Sequence, residues 1–122
     1  MKNYQGLKEY LLSKPEAMLD FPFGDDVSVF KVKKKMFALI SERDGRLMMN
    51  LKCDPEEGAA LRDIFSDITE GYHMDKKHWI SVYFENLIPE NEVRRLIDNS
   101  YLLVVKKMTK KDQKSIMLHL VI

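Results

Sequence analysis

The chain opens with apolar residues at helical spacing. Tyr4, Leu7, Tyr10 and Leu11 recur at i, i+3 and i+4, and the pattern stops before Pro15, which predicts a first helix. After the turn-forming stretch FPFG (21–24) and Asp25-Asp26, the period changes to two. VSVFKV (27–32) and MFALIS (36–41) read as β-strands joined by a tight lysine turn, and RLMMNLKC (46–53) alternates as a third strand beyond the RDG turn (43–45). In CDPEEG, Asp54 suits a helix N-cap, Pro55 the first helical position and Glu57 the third position of a capping box. Ala60, Leu61, Ile64 and Phe65 then supply an apolar stripe ending near Ser66. DITEGYH leads into another strand, WISVYFE (79–85). Pro89 opens the longest helix, with Val93, Leu96, Ile97, Ser100, Tyr101 and Val104 on one stripe, acids early and Lys106 and Lys107 late. SIMLHLVI (115–122) alternates Ile116, Leu118, Leu120 and Ile122, which predicts one more strand, buried or paired with a partner.

The order helix, three strands, helix, one or two strands, helix, strand predicts an α+β fold, an antiparallel β-sheet with helices packed on one face. The other face is then open to solvent, and alternation assigns its residues. Placing Ile80, Val82 and Phe84 inward leaves Trp79, Ser81 and Tyr83 outward. Placing Leu47, Met49 and Leu51 inward leaves Met48, Asn50 and Lys52 outward, and Phe30 and Val32 inward leave Val29 and Lys31 outward. Lysines and ring faces on one pleated surface can hold phosphates by charge and bases by stacking. The same residues also serve as cross-strand packing and as guards against edge pairing.

Length and composition fit one soluble domain spanning residues 1–122, with 45% hydrophobic and 10% aromatic residues. Cys53 is the only cysteine, so no intramolecular disulfide forms and a reducing cytoplasm is the expected location. The start has no apolar run of signal-peptide type, and the longest apolar runs are far too short to span a bilayer, so no membrane role is expected. Net charge is only +1, with ten basic and ten acidic residues in 1–61 and ten and nine in 62–122. An electrostatic function therefore needs a local face. Lysines bunch at Lys31, Lys33, Lys34 and Lys35, at Lys76 and Lys77, and from Lys106 to Lys114.

Known reaction chemistries find little support. His73 and His78 are five apart, about 140° around a helix and on opposite faces of a strand, with no adjacent third ligand. HExxH, CxxC, EF-hand, GxGxxG and P-loop patterns are all absent. Cys53 ends an inward-alternating strand and reads as a buried thiol, and Ser81 and Ser100 lack a nucleophile elbow. No metal, cofactor or catalytic residue is expected. GYHMDKKHW (71–79) stands out, because two histidines and two lysines lie between Tyr72 and the single tryptophan, a composition suited to an anion or nucleic-acid contact.

PEAMLDFPFG, VFKVKKKMFALI, LKCDPEE, GYHMDKKHW and LIDNSYLLVVKKM resemble, in this order, the motifs of the MmcQ/YjbR family of small bacterial proteins, from about residue 7 to 111. The resemblance implies a CyaY/frataxin-like two-layer α+β sandwich with a "double wing" arrangement, on which ground such proteins have been proposed to bind DNA. Lys31, Lys35, Phe37, Lys52, His73, Lys77, His78, Trp79, Ser100 and Tyr101 stand at the family's recurring polar and aromatic positions. The Lys33-Lys34 turn lacks the glycine such hairpins often carry, and residues 112–122 extend past the shared region as an extra strand or tail. Iron delivery of the frataxin kind is not expected, because Asn3 to Ser13 holds one acid, Glu9, and one base, Lys8, in place of an acidic ridge.

The expected function is a non-enzymatic binding protein whose lysine-aromatic face contacts DNA. Lys31, Lys33, Lys34, Lys35, Lys52, Lys76 and Lys77 would meet phosphate, Trp79 and Tyr83 would stack, and His73 and His78 would lie alongside. The alternatives are a small-molecule binder or enzyme using a pocket of His73, His78, Ser100 and Tyr101, and an interaction module that pairs residues 115–122 with a second copy or a partner strand.

Overall fold

The computed structural model describes residues 2–85 and 88–121, with side chains in the last helix as far as Leu118. Helix α1 (Tyr4–Leu12) begins at Asn3, whose side chain accepts from the Gly6 amide at 2.8 Å. Strands β1 (Ala17–Asp20), β2 (Ser28–Val32), β3 (Lys35–Arg43) and β4 (Arg46–Lys52) follow, then α2 (Pro55–Ile64), β5 (Ile68–Glu70), β6 (Trp79–Tyr83), α3 (Glu90–Lys106) and α4 (Lys110–Val121). The six strands form one antiparallel sheet in the order β1-β2-β3-β4-β6-β5. Leu7 and Leu11 of α1, Leu61 of α2, the α3 stripe and Ile116 of α4 all join one core with Phe30, Met49, Leu51, Ile80 and Val82 of the sheet. The helices thus cover one face, as expected of this α+β fold.

Two expectations need correcting. Residues 115–121 form helix, not strand. Residues 116–122 are apolar on both faces of the expected strand, every position but His119, so the alternation of Ile116, Leu118, Leu120 and Ile122 does not separate a period of two from 3.6, and the start signal lies upstream in Thr109-Lys-Lys-Asp112. Thr109 Oγ1 accepts from the Asp112 amide at 3.2 Å, and Gln113 reaches back to the carbonyls of Val105, Lys106 and Met108 at the end of α3. Ile122, the last member of the expected strand, lies outside the described residues. The second correction is β1, an edge strand within PEAMLDF that the pattern did not predict; it pairs Ala17–Asp20 with Val32–Val29.

Both tight hairpin turns put two residues at positive φ, but with different chemistry. The β3–β4 turn uses Asp44 (φ 54°) and Gly45 (φ 75°), an Asp-Gly pair suited to that geometry. The β2–β3 turn uses Lys33 (φ 49°) and Lys34 (φ 70°). A lysine there costs about 1 kcal/mol relative to glycine.

α3 is tied to the sheet by one hydroxyl. Beyond the Ala38–Leu51 pair, Ser100 Oγ donates to Phe37 O at 2.6 Å and accepts from the Lys52 amide at 2.8 Å, bridging β3 to β4. Ser100 has no exposed surface. Arg95 ties α3 to α2 through Glu57 at 2.8 Å while holding Glu92 with two bonds. Ser100→Ala leaves a buried donor and a buried acceptor unpaired, and is expected to lower unfolding stability by about 1–3 kcal/mol, read as a lower urea midpoint at unchanged m-value.

Candidate nucleic-acid interface

The face of the sheet without helices is not open along its whole width. Residues 71–78, the connection between β5 and β6, fold across it and are pinned from below. Ser81 Oγ accepts from the Tyr72 amide at 2.8 Å and donates to Asn50 Oδ1 at 2.6 Å, while Asn50 Nδ2 donates to Tyr72 O at 3.4 Å. Gly71 donates to Trp79 O at 3.0 Å, and a Cβ at Gly71 would lie 2.8 Å from the Trp79 Cβ, so no larger residue fits. Asp75 shapes the far half of the connection: its carboxylate accepts from the Lys77 amide at 2.9 Å and contacts His78 Nδ1 at 2.8 Å. Its carboxyl is held below the usual range first by the His78 ring and then by that amide.

Trp79 and Tyr83 therefore point away from the helices but do not present open rings, since they are only 8% and 3% exposed. Trp79 packs with Val29 and Leu39 in a second, smaller core that Val27, Met36 and Met74 complete. Tyr83 donates to Met48 Sδ and accepts from Arg43, and the Arg46 guanidinium lies 4.4 Å from its ring centroid. The expected base-stacking platform is corrected on this point. Alternation identified the face correctly and could not show that a loop lies over it.

The lysines collect elsewhere, at one end of the sheet. The antiparallel register places the Lys33-Lys34 turn, Lys35, Lys52 and the start of β6 at the same end, and Lys52 pairs with Trp79. The C-terminus of α3 reaches this end, where Lys52, His78, Leu103 and Lys107 border a shallow hollow of about 180 Å³. Partial burial and then the neighbouring charges of Lys107 and Lys35 lower the pKa of Lys52. Among the described residues, Lys34, Lys35, Lys52, Lys76, Lys77 and Lys107 have no carboxylate within ion-pair distance. Lys31 and Lys33 differ: Lys31 pairs with Asp20, and Lys33 with Glu16 and the Ser115 hydroxyl, each at 2.9 Å.

His73, His78, Ser100 and Tyr101 do not line one cavity, which corrects the expected pocket. Ser100 is consumed by the two strands. Tyr101 is buried on the helix side, donates to Pro15 O at 2.6 Å, and has its phenol pushed up to about 12 by burial. His73, at φ 59°, borders a cleft on the helix-free face, whereas His78 lies at the lysine end. Among the described residues no three His, Cys, Asp or Glu side chains are grouped to hold a metal ion, and no helix is long and apolar enough to cross a membrane.

Residues 12–103 match the YjbR family model. The chain belongs to the YjbR family. It is 42% identical over 113 residues to the Escherichia coli O157:H7 protein YbdF, covering 93% of each chain, and 30% identical over 108 residues to YjbR of Escherichia coli K12, covering 88% of this chain and 92% of that one. The Deinococcus radiodurans protein DR2400, a crystal structure, superposes with a TM-score of 0.87 at 37% identity, over 95% of this chain and 88% of its own. A Pseudomonas syringae crystal structure gives 0.73 at 28% identity, over 83% and 97%. The family match spans the lysine turn, Lys52, the 71–78 connection and α3 as far as Leu103, and Lys107 lies beyond it.

Two outcomes follow for this region. Gly71→Ala is expected to destabilise by about 1–3 kcal/mol and to red-shift the Trp79 emission, because the connection must lift from β6. The Cys53 thiol, buried beside Glu57 and Asp54, is pushed from 9.0 to about 11. Native protein at pH 8 is therefore expected to react with iodoacetamide about a hundredfold more slowly than urea-unfolded protein.

Proposed function

We propose that this protein is a non-enzymatic DNA-binding module that grips the phosphate backbone with the lysine end of its sheet. Lys34, Lys35, Lys52 and Lys107 form the centre, and Lys76 and Lys77 extend it along the connection. The observation that carries the reading is the crowding of Lys35, Lys107 and the half-buried Lys52 without a carboxylate partner. Like charges so placed repel, and a phosphate between them relieves the repulsion. The turn adds support, since two lysines occupy backbone positions that glycine would fill with less strain. With Trp79 and Tyr83 covered, contact is to phosphates, so affinity depends weakly on base sequence.

Fluorescence anisotropy with a labelled duplex of about 20 base pairs tests this. Three phosphate contacts give a log-log salt slope of about −2.7, a loss of roughly 40-fold between 50 and 200 mM salt. Lys35→Glu/Lys107→Glu is expected to lose at least tenfold in affinity at 50 mM salt with a urea midpoint no lower than the parent's, since both changes relieve the repulsion on Lys52. Lys34→Gly separates charge from folding, because it should stabilise the protein by about 1 kcal/mol while weakening the duplex. Salt-independent anisotropy, or full affinity in the double variant, would reject the reading.

A further inference from the structure

A second candidate site lies on the same helix-free face, toward the end opposite the lysines, where the 71–78 connection stops short of covering the sheet. An open cleft of about 1200 Å³ remains between that connection and the loop after β1. Its floor is apolar: Met36 and Leu39 of β3 and Met48 of β4 line it. Methionine side chains are flexible and polarizable, and adapt to flat apolar or aromatic ligands. Its edge is acidic, with exposed Asp25 and Asp26 on the loop and Glu42 at the end of β3.

One polar group of the floor remains partly unused. Asn50 is only 5% exposed and borders the cleft, yet its amide nitrogen makes a single 3.4 Å bond, to Tyr72 O. Its second N–H has no acceptor within hydrogen-bond distance among the described residues. Arg43, next to Glu42 in β3, is committed elsewhere: its guanidinium stacks 3.9 Å from the Tyr72 ring centroid and donates to Tyr83. Three carboxylates against Arg43 leave the edge net negative whether His73 is protonated or not.

We infer that this cleft binds a small organic cation with a flat apolar body, its positive end held by Asp25, Asp26 and Glu42 and an acceptor atom of the ligand bonded to Asn50. The apolar body lies against half-buried Met36 and the exposed rings of Phe21 and Phe23, which line the same cleft, and displaces water from them. Anionic ligands are excluded by the same carboxylates, so this site and the lysine end select opposite charges.

Trp79 packs against Leu39 and is the only tryptophan, so its emission reports on the floor of the cleft. The probe is berberine, an aromatic quaternary cation, titrated without nucleic acid and compared with the anionic dye anilinonaphthalene sulfonate. Saturable, one-to-one berberine binding with altered Trp79 emission, and weaker binding of the anionic dye, is the expected result. Asp25→Asn/Asp26→Asn/Glu42→Gln, all at exposed positions, should weaken berberine about fivefold and narrow the gap to the anionic dye. If the triple variant does not fold, Glu42→Gln alone should shift both dyes in the same directions by a smaller factor. No saturable berberine binding, equal or tighter binding of the anionic dye, or unchanged affinity in the folded variants would each overturn the inference. None of these readings depends on the lysine end, and Lys35→Glu/Lys107→Glu is expected to bind berberine as the parent protein does.

Discussion

A six-stranded sheet whose helices all pack on one side must do something with its other side. Here the burden falls on a buried pair of polar side chains. Ser81, without exposed surface, and Asn50, 5% exposed, bond to each other at 2.6 Å and together hold the backbone of Tyr72. Burial without partners is costly for both groups, and each bonds the other while fixing the backbone of Tyr72 beside them, with one Asn50 N–H left over. Gly71 permits the close approach, and Asp75 turns the chain back into β6. Trp79 then has a roof and joins the small second core. Because the connection is short, it covers only part of the face, so the acid-edged cleft is what remains uncovered.

The same geometry accounts for the distribution of charge. Net charge of +1 suggests a protein indifferent to polyanions, but antiparallel pairing sorts side chains by sheet end rather than by position in the sequence. Lys33, Lys34, Lys35 and Lys52 are brought to one end by β2, β3 and β4, and α3 delivers Lys107 to the same place. At the other end, Arg43 and Arg46 cover Tyr83, and Arg46 pairs with Glu85. The outer lysines Lys31 and Lys33 are neutralised by Asp20 and Glu16, which confines the unpaired charge to the middle of that end.

Much of this was legible before any coordinates. Asp54 and Pro89 mark helix starts, and the strands from β2 to β4 and β6 follow their alternation closely. What alternation could not reveal is tertiary cover. It assigned Trp79, Ser81 and Tyr83 to the second face, and whether that face meets water depends on the path of residues 71–78, which periodicity does not encode. The final helix was missed because residues 116–122 are apolar at every position but His119, so neither period stands out, while the deciding Thr109–Asp112 cap is a local polar bond. β1 was missed because four residues with Met18 exposed carry too little pattern. Of the site residues, Ser100 is where chemistry and position diverge most. As one of the polar positions the family resemblance singles out it was grouped with His73, His78 and Tyr101 in a pocket, but two backbone groups take both of its bonds.

Lys52 joins the fold to the proposed anion contact. Its pKa is lowered in the folded state by partial burial and then by Lys107 and Lys35, so folding works against its protonated form. The sign is therefore unfavourable at neutral pH, where Lys52 is charged in the unfolded chain, and the penalty fades as pH rises through the unfolded lysine range near about 10.4. Asp75 offsets part of this and Asp54 borders the same hollow, but neither forms an ion pair with Lys52. The position of Lys52 is instead fixed by β4, whose backbone Ser100 clamps to β3 one residue beyond the Ala38–Leu51 pair. The clamp prevents the strand end from fraying to separate the charges, so the repulsion is retained in the folded state. An anion that settles among the three lysines removes that penalty as well as making its own contacts, which couples occupancy of the lysine end to the stability of the β3–β4–α3 junction.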